Sequence, residues 1–231
     1  TELGYNVAAL QDAGLDVSVL WNNIVPAGWG DWSLDPKGSD IGEDGQWFQY
    51  NPAEAAKLLD AVGYDGAAIQ YHYANDIYGA TFNRIAEGAA GYVNEGGVNA
   101  EIRTQAYTSE YFPQTFAGNF DGMAFGYQTP FPEVGGYFNR MFGDDPNNHS
   151  RISDAEITPL IGEQAVEIDP DARREIIWEI QRINARNMYY IPNQAGAGTG
   201  WTGYQPELRG ISQTRGYGTA SENLPNFWLD V

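Results

Sequence analysis

The sequence predicts an α/β fold, a mixed sheet flanked by helices and built on a parallel strand–helix–strand unit. Three observations carry that prediction. Residues 67–73 and 98–104 alternate apolar and polar side chains with the period of a half-buried strand. Between them, Tyr78, Phe82, Ile85, Ala89 and Tyr92 recur at helical spacing, and a crossover of that length returns the chain parallel to itself. Elsewhere, helix starts are marked by capping residues followed by proline.

Taken in order, residues 7–20 fit a helix that Gly14 interrupts. Pro26, Gly28, Gly30, Pro36, Gly38, Gly42 and Gly45 then punctuate a long loop. It carries Trp29, Trp32 and Trp47, so it is expected to pack on the body of the protein. Residues 51–63 read as a helix. Asn51 is the N-cap, Pro52 takes the first helical position, Glu54 completes a capping box, and Gly63 stops it. Ala55, Leu58, Leu59 and Val62 share one face. In the first strand Ile69, Tyr71 and Tyr73 face one side, Gln70 and His72 the other. Gly96 and Gly97 close the crossover helix, and Val98, Ala100, Ile102 and Thr104 alternate after it.

Residues 108–116 predict a short helix, and 122–127 a strand with Met123, Phe125 and Tyr127 on one side. Val134, Tyr137, Phe138 and Met141 sit at helical spacing, before a polar loop over 143–151. Residues 153–165 look helical, but an interior Pro159 would cost about 3 kcal/mol. The regular part is therefore expected to begin at Thr158. Residues 169–187 form the strongest helix, capped by Asp169 and opened by Pro170, with Ile176, Ile177, Ile180 and Ile183 as its stripe. Asp169 and Asp171 sit at its positive end, Arg182 and Arg186 at its negative end. A short apolar run, 188–191, follows. The remainder is rich in Gly, Thr and Tyr and ends in a short strand at Phe227, Trp228 and Leu229.

Composition narrows the chemistry. The chain has 231 residues, enough to bury roughly 70% of its unfolded surface. Twelve Lys and Arg face 31 Asp and Glu, a net charge of −19 that repels phosphate backbones and anionic headgroups and excludes nucleic acid as a partner. With 14% aromatic residues the chain is an acidic folded protein, not a disordered acidic tail. Zero cysteines removes disulfides, thiolate metal sites and cysteine nucleophiles. No run is long and apolar enough to span a bilayer. The chain opens at Thr1 with neither an initiating methionine nor a signal peptide, as a processed protein or an excised fragment would.

The local motifs carry no chemistry. Gly196, Gly198 and Gly200 lack the helix that a dinucleotide loop needs directly afterwards, and read as a surface loop. His72 and His149, the only histidines, match no zinc motif. The acids at Asp40, Glu43 and Asp44, and at Asp144 and Asp145, lack calcium-loop spacing. There is no G-x-S-x-G elbow. Neither a metal, a cofactor nor a catalytic residue is expected. The Trp and Tyr content also suits sugar stacking, so a carbohydrate-active enzyme or binding module with paired carboxylates is the alternative on composition alone.

Five segments together resemble one family. YNPAEAAKLLDAVGYDG (50–66) looks like the helix-then-Gly-Tyr segment of the bacterial extracellular solute-binding proteins, family 5, the ABC-importer receptors for dipeptides, oligopeptides and nickel. EGGVNAEIRTQAY (95–107) resembles their L-G-I-x-V-x-L strand and the loop after it. GNFDGMAFGY (118–127) resembles their G-x-F-D-x-x-x-x-G-W segment. IDPDARREIIWEIQRINARNMYYIP (168–192) is similar to their penultimate helix, followed by an apolar strand and a proline; LPNFWLDV (224–231) is similar to their C-terminal strand. The segments occur in family order.

The resemblance implies a periplasmic-binding-protein-like fold of class II, large cluster. Residues 1–200 would be the C-terminal ligand-binding lobe, and 201–231 a tail that returns to an N-terminal lobe missing from this sequence. It implies a non-catalytic receptor, extracellular or periplasmic, anchored through an upstream lipoprotein signal. Such a receptor closes on a peptide-like or oligosaccharide-like solute and docks on ABC transporter permease subunits. Its cleft would be lined by the loops after Ile102 and Phe125, with Tyr107, Tyr127 and Gln128 in contact and Tyr111 behind them. The same tyrosines suit interior or lobe-interface packing equally well. Tyr127 stands where the family has Trp. Pro130 stands where peptide-binding members place the aspartate that holds a peptide's amino terminus, which favours a neutral ligand or a peptide held differently. The histidine-rich coordination of nickel is missing.

Overall fold

A computed structural model describes residues 7–14, 17, 20–128, 131–143, 146, 148–193, 205–211 and 224–230. Pro130, Asp144, Asp145 and the Gly196–Gly198–Gly200 run lie outside the described residues.

Helix α1 (Val7–Asp12) ends before Gly14, whose φ of +75° is one that residues with a Cβ rarely adopt. The tryptophan loop then makes two 3-10 turns, Ala27–Trp32 and Gly42–Phe48. Helix α2 (Pro52–Ala61) follows, with the Asn51 side chain accepting from Glu54 N at 3.1 Å. The predicted capping box is only half made, because the Glu54 carboxylate turns outward to Lys57 at 2.8 Å. The apolar face of α2 is also only half covered. Ala55 and Leu59 lie against Gly96 and Gly97, while Leu58 and Val62 are 46% and 79% exposed.

The parallel crossover forms as the alternation requires: β1 (Ile69–Ala74), α3 (Gly79–Glu95), β2 (Ala100–Gln105). Strand β3 (Met123–Ala124) completes a sheet of order β2-β1-β3, all parallel, with Tyr71 beside both Ile102 and Met123. Strand β3 is shorter than predicted. Past Ala124 only Phe125 N still reaches β1, at His72 O (2.8 Å), and the Phe125 carbonyl turns to the Tyr111 hydroxyl. Tyr71 and Tyr73 are buried under α3, whose buried stripe is Phe82, Ala86 and Ala90. That stripe runs one residue beyond the predicted one, because small alanines let the helix lie close on the sheet.

A second core holds α4 (Gly135–Phe142), α5 (Ile157–Val166) and α6 (Pro170–Asn187) together. Val134, Phe138 and Met141 meet Ile157, Ile161, Ile177, Ile180 and Ile183 there, with Ile24 and Val25 from the tryptophan loop. The Asp169 carboxylate caps α6 at Asp171 N (3.0 Å) and Ala172 N (2.9 Å). In α5, Pro159 falls in the first turn, where its missing N–H costs nothing. The cap there is Asp154, whose Oδ1 accepts from Glu156 N (2.7 Å) and Ile157 N (3.0 Å). The tryptophan loop packs on α6 as expected: Gln181 accepts from Leu34 N (3.0 Å) and donates to Trp32 O (2.9 Å), and Trp178 donates to Asp31 O (3.0 Å).

The apolar run after α6 is not a strand. Met188 turns left-handed at φ 47°, no described strand runs alongside to supply a ladder, and Ile191 is 75% exposed. A separate antiparallel pair, β4 (Leu208–Arg209) with β5 (Trp228–Leu229), confirms the short C-terminal strand.

Candidate ligand-binding site

In a parallel sheet the loops after the strands converge at one edge. Here those loops start at Asn75, Ala106 and Phe125, and each delivers an aromatic ring. After β2 the chain enters a π-helix, Tyr107–Thr115, with Pro113 inside it. A proline offers no N–H to an α-helical ladder, which suits the wider turn. The start of this helix is pinned twice: Tyr107 N donates to Asp76 Oδ1 (2.9 Å), and Ala106 N donates to Glu110 Oε2 (2.8 Å).

Tyr107 is half-buried and stacks on Tyr111, with centroids 6.1 Å apart and planes at 21°. Tyr111 is buried, and its hydroxyl donates to Phe125 O at 3.0 Å. Burial pushes its pKa well above the ordinary tyrosine value, with the neighbouring Tyr107 adding to the shift, so the phenol is a neutral donor across the working pH range. Tyr71, beneath the same rings, is shifted the same way, first by burial, and its hydroxyl has no hydrogen-bond partner among the described residues. Tyr127 is 55% exposed and packs edge-on against Tyr78 at 4.9 Å. Tyr78 in turn meets Tyr107 at 5.7 Å.

Three of the four sequence-derived residues, Tyr107, Tyr111 and Tyr127, thus fall in one aromatic assembly. Gln128 follows directly, half-buried, with Nε2 buried and unpartnered among the described residues. Two members were missed. Tyr78 joins the other tyrosines, and Phe112, 51% exposed, extends the strip from Tyr107 at 5.7 Å. The signal for Tyr78 was available, since it follows the central strand, whose loop must reach the same edge.

An open groove of about 530 Å³ lies elsewhere, against α4–α6, and none of the four residues lines it. Polar groups that line it are engaged with one another: Arg173 bonds both Glu133 and Gln164. The tyrosine edge instead presents exposed ring faces. Among the described residues no cluster of three or more His, Asp or Glu forms a metal site, and no helix is long and apolar enough to cross a membrane.

A parallel β-α-β lobe with loops gathered at one edge is the ligand-clasping α/β unit of periplasmic-binding-protein-like folds. The chain belongs to the bacterial extracellular solute-binding proteins, family 5, whose middle region matches residues 7–149. Solved structures share the fold. The periplasmic oligopeptide-binding protein of an oligopeptide ABC transporter from Thermotoga maritima is 20% identical with a TM-score of 0.61, covering 77% of this chain and 37% of its own. The mannohexaose-bound form of that protein gives 21% identity and a TM-score of 0.59, covering 77% and 36%. AppA from Clostridium difficile gives 21% identity and a TM-score of 0.58, covering 84% and 38%. The chain therefore spans little more than a third of the length of these structures. No curated protein matches it.

Proposed function

We propose that this chain is a ligand-binding lobe of an ABC-importer solute receptor. It holds a small solute at the tyrosine edge and presents it to the permease subunits. Residues 1–200 form the lobe, and 201–231 the tail that returns to a partner lobe of the same protein. The receptor works outside the cytoplasmic membrane, tethered through an upstream lipid anchor. One observation carries the reading: in a family 5 chain, the loops after all three parallel strands bring Tyr78, Tyr107 and Tyr127 to one edge. Tyr107, Tyr127 and Gln128 contact the solute, with Tyr111 supporting Tyr107 from behind.

The solute is peptide-like or oligosaccharide-like, as the similar Thermotoga maritima protein was solved with mannohexaose and is described as oligopeptide-binding. Closure of two lobes supplies the affinity, and no bond is made or broken. The test is uptake: deleting the gene that carries this sequence should abolish import of the solute that raises the Tm of the encoded protein. The solute should be recovered unchanged after incubation. Undiminished import, or a solute that is consumed, would sink the proposal.

A further inference from the structure

We infer that the solute held at the tyrosine edge is a neutral oligosaccharide, its rings laid along Phe112, Tyr107 and Tyr127. This rests on the receptor reading and narrows it. The argument begins with charge. A free peptide brings an ammonium and a carboxylate, and removing either from water is costly unless a partner awaits it.

The three loops that build the edge are nearly free of such partners. Residues 77–83, 104–109 and 122–132 contain no charged side chain. Four acids border them: Asp76 and Glu110 each spend a carboxylate oxygen on a backbone N–H of the edge itself, Glu133 pairs with Arg173, and Asp121 precedes β3, at the far end of that strand. The nearest arginines along the chain are also engaged. Arg103 bonds Gln70 and Glu101, and Arg84 bonds Thr81 on α3. These three loops therefore offer no cation of their own to a carboxylate terminus.

What the edge does offer fits a pyranose. Sugar rings carry apolar C–H faces and hydroxyl rims. They lie flat on exposed aromatic faces and hydrogen-bond at their margins. Successive ring centroids from Phe112 to Tyr107, Tyr107 to Tyr78 and Tyr78 to Tyr127 are 5.7, 5.7 and 4.9 Å apart, close to the length of one linked pyranose unit. Tyr78 meets both neighbours edge-on and so holds Tyr107 and Tyr127 as separate platforms.

The experiment is saturation-transfer NMR on the complete receptor that carries this sequence. The probes are cellohexaose, xylohexaose and maltohexaose, with zwitterionic trialanine as the competitor class. At least one hexasaccharide should receive saturation and trialanine none. Phe112→Ala and Tyr107→Leu should each weaken saccharide binding by roughly tenfold. Tyr50→Ala should leave it unchanged, because Tyr50 packs on Tyr92 at the opposite end of α3. Phe112 is half exposed, so its variant keeps the test readable if Tyr107→Leu unfolds the edge. Trialanine binding that Tyr107→Leu abolishes would overturn the carbohydrate class and leave the receptor reading standing. Saccharide binding indifferent to both variants, or no binding by either class, would overturn the placement of the site as well.

Discussion

Gly126 is constrained by its neighbour more than by its own backbone. A Cβ there would run into the Tyr111 hydroxyl, which sits at the end of a rigid buried ring and is bonded to Phe125 O. Gly126→Ala is expected to destabilise the protein by about 1–3 kcal/mol in urea titrations. Tyr111→Phe in the same chain should recover part of that loss, since it removes the clashing oxygen. Additive losses would show that the hydroxyl is not the obstacle. Asp154 makes a second case. Burial alone would raise its pKa, but hydrogen bonds from the Tyr189 hydroxyl and from Ile157 N and Glu156 N, with Arg186 nearby, outweigh burial and hold it below the ordinary carboxylate value. A depressed pKa stabilises the fold above the unfolded-state value and loses that contribution as pH falls through the folded-state value. Asp154→Ala should therefore cost about 1 kcal/mol at neutral pH, with the gap from the parent closing below a pH of about 4. A gap independent of pH would contradict the assignment.

At the scale of elements, α6 is the brace of the second core, and Gln181 is its most exacting position. Its side chain is fully buried and satisfies Leu34 N and Trp32 O, two backbone groups of the tryptophan loop. Gln181→Leu should cost roughly 2 kcal/mol, because the buried Leu34 N and the part-buried Trp32 O both lose their partner. A thermal or urea shift within error of zero would mean that water replaces the amide. Helix α6 itself was legible, because Asp169, Pro170 and the isoleucine stripe are local signals that agree. The role of Gln181 was not, since a glutamine on a helix reads as solvent-facing unless its distant partners are known. The same limit explains Met188 to Ile191. Apolar residues there allow a strand, but a strand needs a ladder, and ladders are not written locally. At the candidate site Tyr107, Tyr111 and Tyr127 came from resemblance. Tyr78 was absorbed into a helical stripe, and Phe112 faces outward from a π-helix whose widened turn shifts every later side chain.

At the scale of the molecule, 31 acids against 12 bases leave far more repulsion than attraction on the surface. Most surface ion pairs here, such as Arg174–Asp171 and Arg186–Glu156, are exposed and worth little. Raising the salt from 0.01 M to 1 M shortens the screening length from about 30 Å to about 3 Å. The Tm should therefore rise with salt, by about 2–4 °C for each kcal/mol of repulsion relieved. A fall in Tm would mean that the ion pairs outweigh the net charge. The contact between Leu34 and Gln181 has a further consequence, in time. The two residues are 147 positions apart. A ribosome adding about 5–20 residues per second takes roughly 7–30 s to cover that distance. Throughout that interval Trp32 has been made but α6, on which it packs, is not complete. The nascent chain carries an uncovered aromatic segment throughout that interval, a window in which a holding chaperone would find its binding surface.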